Sequence, residues 1–557
     1  MTRPRTRPTY RSSLAGLSLS ALLATAACDD GTGVPFRDIT AQSGIAFTHT
    51  VDLTGQFRLP EIMGAGCAVF DANGDDRLDI YFTNAGRCGG QGAANRLYLQ
   101  NPDATFHDAT TTSGLGDPGF GMGVAIGDID NDGDLDVYVG NFGADALYRN
   151  EGKGTFTNIT QPAGIVATPW TSSVSFLDYD ADGWLDIFVV HYVADDLTRY
   201  CTNRQSRRDF CGPTIFEGVP DRIYRNRGDG TFEDRSEASG IASVASNGLG
   251  ILVEDFNDDA WPDVFIANDG EANHLWMNQQ DGSFRETALS IGVAVNAHGT
   301  AEASMGVAAG DVDADGDLDL FMTHLLTESN TLYLGSNGSF EDGSARSGLA
   351  TCSIMFTGFG TALIDIELDG DLDLLVANGR VQQGTANSGA SLKAPWNKYA
   401  ETNQLFFGDG RGRFVDASDR ESVFCHPAEV SRGLAFGDLD ADGDLDVVLA
   451  NCAGPARIYE NIAKRQGHWL RIRAVDPKLR RDVYGAVVWV HAGGKIHRRT
   501  IGPSNSYLSC SPAAAHFGLG SSDRTSRIEV RWPGGGTETF EGGPTDRTLI
   551  LERGKPR

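Results

Sequence analysis

A nine-residue acidic phrase recurs seven times along the chain and constrains its fold more than any other sequence feature. Its most regular copy runs from Asp128 to Asp136, with aspartate at positions 1, 3, 5, 7 and 9. The first copy begins at Asp71 and the last at Asp438. Self-similarity at a fixed period is typical of repeat architectures. The sequence therefore predicts seven similar structural units.

Two further phrases also occur seven times each. One is of the Leu-Tyr-x-Asn type, as at 147–150, and the other is of the Phe-x-Asp-x-Thr type, first at Phe36 and last at Phe414. The 427 residues from Phe36 to Ile462, divided among seven units, give about 61 residues per unit. Alternating apolar residues and turn residues predict four short strands in each unit, with the acidic phrase between the first and second strands.

Four strands repeated about an axis are typical of a β-propeller, which protects its strand edges by closing into a ring. A solenoid has the same kind of period but needs capping repeats, and none is evident. Phe36 heads a fourth-strand phrase before any acidic phrase, and the seventh unit lacks that phrase. We therefore expect the N-terminal strand to complete the last blade. The predicted fold class is all-β: a circularly closed seven-bladed propeller followed by a small β-sandwich or barrel-like domain.

The expected domain boundaries follow from these phrases. Residues 1–28 are predicted to be a signal peptide, 29–35 a short linker, 36–462 the propeller, 463–553 the C-terminal β domain and 554–557 a tail.

The spacing of the acidic phrase predicts calcium sites. Side-chain oxygens at positions 1, 3, 5 and 9, with the backbone carbonyl of position 7, can surround a hard cation of the size of calcium. An EF-hand starts in the same way, but position 12 is apolar in all seven copies, where an EF-hand needs glutamate. The alternatives are aspartate-rich turns without metal and ions that only stabilise the fold. The candidate ligands, loop by loop, are Asp71, Asn73, Asp75, Arg77, Asp79; Asp128, Asp130, Asp132, Asp134, Asp136; Asp178, Asp180, Asp182, Trp184, Asp186; Asp255, Asn257, Asp259, Trp261, Asp263; Asp311, Asp313, Asp315, Asp317, Asp319; Asp365, Glu367, Asp369, Asp371, Asp373; and Asp438, Asp440, Asp442, Asp444, Asp446.

The charge balance agrees with bound cations. The chain has 75 acidic and 46 basic residues, a formal net charge of −29. Four arginines lie in the predicted signal peptide, so the mature charge is about −33, and seven Ca2+ ions would bring it to about −19. Such an acidic chain is not expected to bind nucleic acid, which requires a basic surface. Three copies, with Asn73, Asn257 or Glu367 at position 3, depart from the aspartate pattern on which the calcium prediction rests.

The N-terminal segment predicts export. A basic stretch precedes an apolar run, 14–27, that is too short to span a bilayer. Small residues directly before Cys28 resemble a bacterial lipoprotein signal, in which Cys28 is lipidated. Secretion with an incidental cysteine and a buried helix are the alternatives. We expect a location in the bacterial cell envelope, on the periplasmic or the outer surface, or otherwise a secreted protein.

Eight cysteines remain after Cys28, and an exported protein can form disulfides. Cys201 and Cys211 lie close together within one insertion and are the favoured pair. Two weaker hypotheses pair cysteines from neighbouring blades: Cys88 with Cys452, and Cys352 with Cys425.

The repeat phrases resemble the FG-GAP or VCBS-type repeats of integrin α-subunit propellers and of many bacterial surface proteins. The C-terminal phrases 469–473, 484–490, 506–509, 516–520 and 530–535 resemble the ASPIC/UnbV domain. A propeller followed by that domain is the arrangement of the cartilage acidic protein-like family. The resemblance implies an extracellular, calcium-dependent interaction and no known reaction.

Binding is the expected function. The expected partner is an extracellular protein or a glycan, and two long insertions, 192–221 and 379–402, are expected on the face opposite the acidic loops. Whether they bind a partner or only cap the central channel stays open. The alternative is a calcium-dependent polysaccharide lyase or hydrolase. The sequence shows no nucleophile elbow, zinc helix or phosphate-binding loop, so we expect no catalytic residues and no cofactor beyond calcium.

Overall fold

A computed structural model describes residues 34–53, 55–90, 92–168, 170–195, 197–502 and 506–555. The predicted signal peptide and Cys28 lie outside the described residues. The all-β prediction is confirmed, because strands dominate the described chain and its helices are single turns. No helix in these ranges is long and apolar enough to cross a membrane.

The repeat region forms seven antiparallel four-stranded sheets within the described residues. Six of them take their strands in chain order, with the short strands of the insertions intervening in the third and sixth: Cys67–Phe70, Asp79–Phe82, Arg96–Gln100 and Phe106–Asp108; Gly121–Gly127, Asp136–Asn141, Ala146–Asn150 and Phe156–Asn158; Thr171–Leu177, Asp186–His191, Arg222–Asn226 and Phe232–Asp234; Gly248–Glu254, Asp263–Asn268, His274–Asn278 and Phe284–Glu286; Val307–Gly310, Asp319–Met322, Thr331–Ser336 and Ser339–Asp342; Gly358–Ile364, Asp373–Asn378, Gln404–Gly408 and Phe414–Asp416. Sheet seven consists of Ser431–Gly437, Asp446–Asn451, Arg457–Asn461 and the N-terminal strand Phe36–Asp38.

The N-terminal strand pairs antiparallel with Arg457–Asn461, with Phe36 opposite Asn461. The first strands of consecutive sheets pack against one another, and that of sheet seven also contacts that of sheet one. Third-strand amides add hydrogen bonds between sheets: Asn226 Nδ2 donates to the carbonyl of Ile129 at 2.8 Å, and Gln100 Nε2 donates to that of Leu439 at 2.6 Å. The second of these bonds joins sheet one to sheet seven.

The Phe-x-Asp phrase also encodes a turn that the strand prediction did not include. Asp108 Oδ1 accepts the N–H of Thr110 at 2.9 Å, and a one-turn helix follows and ends at Gly114, whose φ is +78°. Side-chain acceptors of this kind favour turns, and glycine takes the left-handed cap without strain. The short helices are Thr40–Ser43, Pro60–Met63, Thr110–Ser113, Ser236–Ser239, Ala288–Ile291, Ser344–Ser347 and Leu349–Ser353, with 3-10 turns at Pro213–Ile215, Ile241–Ser243 and Trp396–Lys398.

The C-terminal region forms two further four-stranded sheets. They enclose a core of their own that includes Phe517, Val488 and Trp532. Their strands are Trp469–Asp476, Arg481–Asp482, Ala515–Gly518 and Arg547–Glu552 in one sheet, and Ala486–Ala492, Lys495–Ile501, Thr525–Arg531 and Thr537–Glu541 in the other. This region is called the C-terminal domain below.

Apolar side chains from the first strands fill the centre of the ring of sheets. Met122, Leu249 and Phe359, from sheets two, four and six, belong to one buried cluster that is completed by residues just before the first strands of the other sheets, such as Met63 and Trp170. Tyr507 of the C-terminal domain enters the same cluster, is fully buried, and donates a hydrogen bond from its hydroxyl to the carbonyl of Met63 at 2.8 Å. The centre of the ring is therefore a packed core and not an open channel.

The two insertions meet over this core. Tyr399 Oη donates to Asp209 Oδ1 at 2.8 Å, and the Gln383 N–H donates to Asp209 Oδ2 at 2.9 Å. The first insertion contains the short strand pair Cys201–Thr202 with Arg208–Asp209. The end of each insertion pairs with a short strand that precedes the next sheet: Val219–Pro220 with Ala245–Ser246, and Glu401–Thr402 with Ala428–Glu429. The insertions thus cap the core, while Tyr200, Arg204 and Arg207 remain exposed.

The structure joins Cys201 to Cys211 in a disulfide, which is the favoured pair. The two weaker hypotheses were wrong, since Cys88, Cys452, Cys352 and Cys425 are free thiols. The Cys452 thiol faces the backbone carbonyl of Glu61 at 3.4 Å, and the Cys352 thiol bonds within its own short helix to the carbonyl of Gly348 at 3.5 Å. Matching places in neighbouring sheets therefore do not bring these sulfur atoms together.

Candidate metal centres

All seven acidic loops take the same backbone path between the first and second strands of their sheets. Position 4 is left-handed in every loop, as at Asn131 with φ +57°, and so is position 6, as at Gly133 with φ +101°. Residues with a Cβ occupy position 4 in six loops, including Leu368 with φ +64°. This conformation costs a non-glycine residue about 1 kcal/mol or more, and such strain is typical of functional loops.

Hydrogen bonds within each loop turn its carboxylates inward. In loop two, Asp128 accepts the N–H groups of Asp132 at 3.2 Å and Gly133 at 3.0 Å. Asp132 in turn accepts the N–H of Asp134, the position-7 residue, at 2.8 Å. The same bond from position 7 to position 5 occurs in all seven loops, at distances from 2.8 to 3.1 Å.

Carboxylate oxygens lie within 4.8 Å of one another in four of the loops. The groups are Asp128, Asp130 and Asp136; Asp178, Asp180 and Asp186; Asp311, Asp313 and Asp315; and Asp438, Asp440 and Asp442. Converging carboxylates repel one another strongly unless a cation lies between them. These four loops have aspartate at positions 1, 3 and 5, the arrangement that the sequence analysis assigned to calcium.

The position-9 aspartates have a second role that the spacing alone did not reveal. Asp136 is buried, and its two carboxylate oxygens accept the N–H of Ile129 at 2.8 Å and of Asn150 at 2.7 Å. Equivalent pairs of bonds are made by the other six, with distances from 2.7 to 3.1 Å. Each position-9 carboxylate therefore ties its loop to the third strand of the sheet.

Buried oxygens without a hydrogen-bond donor show that the loops suit a cation. In five loops one side-chain oxygen at position 1 or 3 has no partner among the described residues: Asn73 Oδ1, Asp130 Oδ1, Asp180 Oδ1, Asp311 Oδ1 and Glu367 Oε2. Buried acceptors are normally satisfied, and an acceptor that binds an ion is one recognised exception. Clustered hard oxygen donors are the ligands that calcium prefers. The residues present therefore fit a calcium ion.

Loops one, four and six differ from the other four because, among the described residues, they do not bring three carboxylate oxygens together in this way. Arginine pairing does not distinguish them: Arg77 pairs with Asp75 in loop one and Arg531 with Asp255 in loop four, but Arg225 and Arg465 pair with carboxylates of loops three and seven as well. In loop six, burial raises the pKa of both the Glu367 and the Asp373 carboxyl. The charge of Glu367 raises the pKa of Asp373 further, whereas the hydrogen bond between the two lowers that of Glu367. These are the loops with Asn73, Asn257 or Glu367 at position 3.

Without a bound cation, the burial of the loop carboxylates lowers the stability of the folded protein at neutral pH. Desolvation, with smaller contributions from neighbouring carboxylates, raises the pKa of Asp128 to about 6 and that of Asp311 to about 6. It also raises the pKa of Asp79 to about 7 and that of Asp319 to about 8. A raised carboxyl pKa means that the folded state holds its proton more tightly than the unfolded chain does.

Without metal, stability should therefore rise as the pH falls from about 8 towards about 4, the window between the raised and the ordinary pKa values. With calcium the trend should reverse, because protonation of the ligands expels the ion. Melting temperatures across this pH range, in calcium buffer and after exhaustive removal of metal, measure both slopes. Parallel slopes in the two buffers would contradict the assignment.

The C-terminal domain contributes basic side chains to the loops, which the sequence analysis did not predict. Arg481 donates to Asn131 Oδ1 at 2.8 Å and to the Gly183 carbonyl at 3.1 Å, so it bridges loops two and three. Lys495 Nζ lies 3.2 Å from Asp371 Oδ1 in loop six, and His516 Nε2 contacts the Gly443 carbonyl of loop seven at 2.9 Å. The C-terminal domain thus rests on the face that carries the loops.

Comparisons with known proteins agree with both parts of this architecture. A family model described as FG-GAP-like repeat matches residues 71–139, 128–189 and 255–322, and one described as ASPIC and UnbV matches residues 476–557. Cartilage acidic protein 1 of Xenopus tropicalis is 27% identical over 304 residues, which cover 52% of this chain and 42% of that protein. The Homo sapiens protein is 25% identical over 359 residues, or 62% and 50% of the two chains. The chain thus spans about half the length of the curated relatives it matches.

Among solved structures, the chain is similar to an Agrocybe aegerita lectin that recognises non-reducing terminal N-acetylglucosamine, with 16% identity, a TM-score of 0.35, and coverage of 63% of this chain and 79% of that chain. It is also similar to YCF48 bound to D1 peptide, with 9% identity, a TM-score of 0.39, and coverage of 75% and 99%. With FG-GAP-like repeats, an ASPIC and UnbV domain and similarity to cartilage acidic protein 1 all present, the resemblance to the cartilage acidic protein-like family is confirmed.

Proposed function

We propose that this protein is an exported, calcium-binding interaction module that binds an extracellular protein or glycan and is held at the cell envelope by a lipid on Cys28. The observation that carries the calcium proposal is the repeated loop with its donor-free oxygens, as at Asp130 and Asp180. Calcium would relieve the repulsion between those carboxylates and hold the loop between the first and second strands of each sheet in place. Most of these ions would serve the structure and leave binding to other surfaces.

The exposed part of the first insertion is the proposed contact surface for a macromolecule. Tyr200 is 65% exposed, and the Arg208 guanidinium lies 4.5 Å from the centre of its ring. Arg204 and Arg207 are exposed beside them, although the chain as a whole is strongly acidic. Aromatic and arginine side chains are enriched in binding hot spots, and loops on a rigid scaffold commonly carry them. The disulfide between Cys201 and Cys211 holds this segment in place.

A pull-down from native envelope extract tests the interaction. The full-length protein, immobilised with calcium, is compared with the same protein after chelation and with a triple variant, Tyr200→Ser, Arg204→Ser and Arg207→Ser. We expect specific capture that disappears in both comparisons, and pretreatment of the extract with protease or glycosidases identifies the class of partner. Capture that is equal for all three samples would contradict the proposed surface.

Lipid anchoring has a separate test. Cys28→Ala removes the thiol that would be acylated, so the protein should move from the membrane fraction to the soluble fraction. Cys352→Ala, which removes a free thiol elsewhere in the chain, is the matched control. An unchanged membrane fraction for the Cys28 variant would exclude this anchor.

A further inference from the structure

The interface between the loop face and the C-terminal domain encloses a cleft of about 580 Å³. It lies among loops one, two and seven, whose position-1 aspartates Asp71, Asp128 and Asp438 contribute to its lining. Ligand pockets commonly have volumes of about 300 to 1,000 Å³ and often occur between domains. The cleft therefore has the volume of a small-molecule site, and it is too small to admit a folded partner.

Charged groups of both signs line the cleft. Four arginines, Arg471, Arg473, Arg480 and Arg481, face six aspartates, which are Asp71, Asp76, Asp128, Asp134, Asp438 and Asp482. The formal charge of this lining is thus −2. Divalent ions in loops one, two and seven would offset the charge of the loop carboxylates beside it, so the proposed calcium sites would make the cleft more favourable to an anion.

Arg471 is the side chain that indicates a ligand. Two of the other three arginines are already occupied: Arg473 Nη2 pairs with Asp482 Oδ2 at 2.9 Å, and Arg481 bonds to loops two and three, while Arg480 is exposed to solvent. The Arg471 guanidinium makes no hydrogen bond or ion pair within the described residues, although its side chain is half-buried in the lining of the cleft. A partly desolvated cation without a partner is costly, and a bound anion would remove that cost.

The remaining lining has the character of a sugar site. Trp469, Leu78 and Tyr484 provide apolar surface, and carboxylates such as Asp76 provide acceptors for hydroxyl groups. A ligand with many negative charges would meet these carboxylates unfavourably, whereas one acid group can reach Arg471 while hydroxyls donate to the aspartates. The lining therefore fits a hydroxylated molecule that carries a single acid group.

We propose that this cleft binds a sugar acid of one or two rings, with its carboxylate on Arg471, and that it does so only when the adjoining loops hold calcium. The inference rests on the proposed calcium function. It adds a small-molecule site that is distinct from the insertion surface on the opposite face.

Isothermal titration of the full chain with D-glucuronate, with and without calcium at matched ionic strength, tests the site. D-glucose lacks the acid, acetate lacks the hydroxyls, and a short aspartate peptide represents the alternative class of ligand. We expect saturable binding of glucuronate only when calcium is present. Glucose, acetate and the aspartate peptide should bind much more weakly under the same conditions. Equal binding with and without calcium, or stronger binding of the peptide, would overturn the proposal.

Two variants locate the binding. Arg471→Gln should weaken it by about tenfold or more, the effect of losing a charge-assisted hydrogen bond. Thr548→Trp should also weaken it, because exposed Thr548 lies beside Arg471 on the adjacent strand, and the larger ring would fill the cleft. Arg524→Gln, at an exposed arginine outside the cleft, is the control.

A separate calcium titration of the same samples distinguishes the two levels of failure. If calcium does not bind, the proposed function fails. If calcium binds and glucuronate does not, or if the Arg471 and Thr548 variants bind it as the parent protein does, the cleft proposal fails and the calcium proposal stands.

Discussion

Replacing Asp136 by alanine is expected to lower the free energy of unfolding by about 3 to 5 kcal/mol, both with calcium and without it. The carboxylate is buried and accepts the N–H groups of Ile129 and Asn150, so its removal leaves two buried donors unsatisfied. It also removes a member of the oxygen group in loop two. Denaturant unfolding in calcium buffer and in metal-free buffer measures the two contributions separately.

The matched control is Asp132→Asn at position 5 of the same loop, where the side chain is exposed. In calcium buffer this variant should lose stability, because a charged ligand is gone. In metal-free buffer it should not, because it removes one of the repelling charges. If the two variants lost the same stability in each buffer, it would be wrong to assign Asp136 a hydrogen-bonding role in the sheet that Asp132 lacks.

The second large effect is expected at Tyr507, which connects the C-terminal domain to the core of the ring. Its ring is fully buried, its centre lies 4.8 Å from that of Phe359 in an edge-on contact, and its hydroxyl bonds to the Met63 carbonyl. Tyr507→Ala should cost about 3 to 5 kcal/mol, as is usual when a large buried side chain is truncated. Since the surrounding segment also pairs with sheet one, at Cys510 with Cys67, we expect the loss to weaken docking of the whole domain.

Limited proteolysis at the exposed residues 464–466, together with the radius of gyration in solution, measures that docking. The alanine variant should be cut faster and be more extended. Tyr507→Phe keeps the ring, loses only one hydrogen bond, and should cost about 1 kcal/mol. Cleavage rates and dimensions identical to those of the parent protein would show that the domain is held by other contacts.

The repeat and the loop chemistry could be predicted from sequence because both are local. A phrase such as 128–136 contains its own turn residues and ligand spacing, and its two strands flank it directly. Its structure can therefore be predicted without knowledge of distant parts of the chain. The pairing of Phe36 with Asn461 could be inferred because the order of phrases left an unmatched strand at each end of the repeat.

The features that escaped prediction depend on tertiary contacts. Arg481 lies 350 residues from Asn131, and nothing near it in the sequence marks it as a bridge between loops. The role of Asp136 in tying loop to sheet was hidden because a ligand and a hydrogen-bond acceptor require the same side chain. The pairing of Cys88 with Cys452 was wrong because equivalent places in the repeat do not fix the direction of a side chain.

Calcium binding by the loops is the central claim, and metal analysis combined with thermal melting tests it most directly. The purified protein, equilibrated with millimolar calcium and freed of excess, should retain at least the four ions of loops two, three, five and seven, and at most seven. Chelation with EGTA should then lower the melting temperature clearly, because an ion that binds only the folded state stabilises it. A protein that retains no calcium and melts at the same temperature in EGTA would contradict the account.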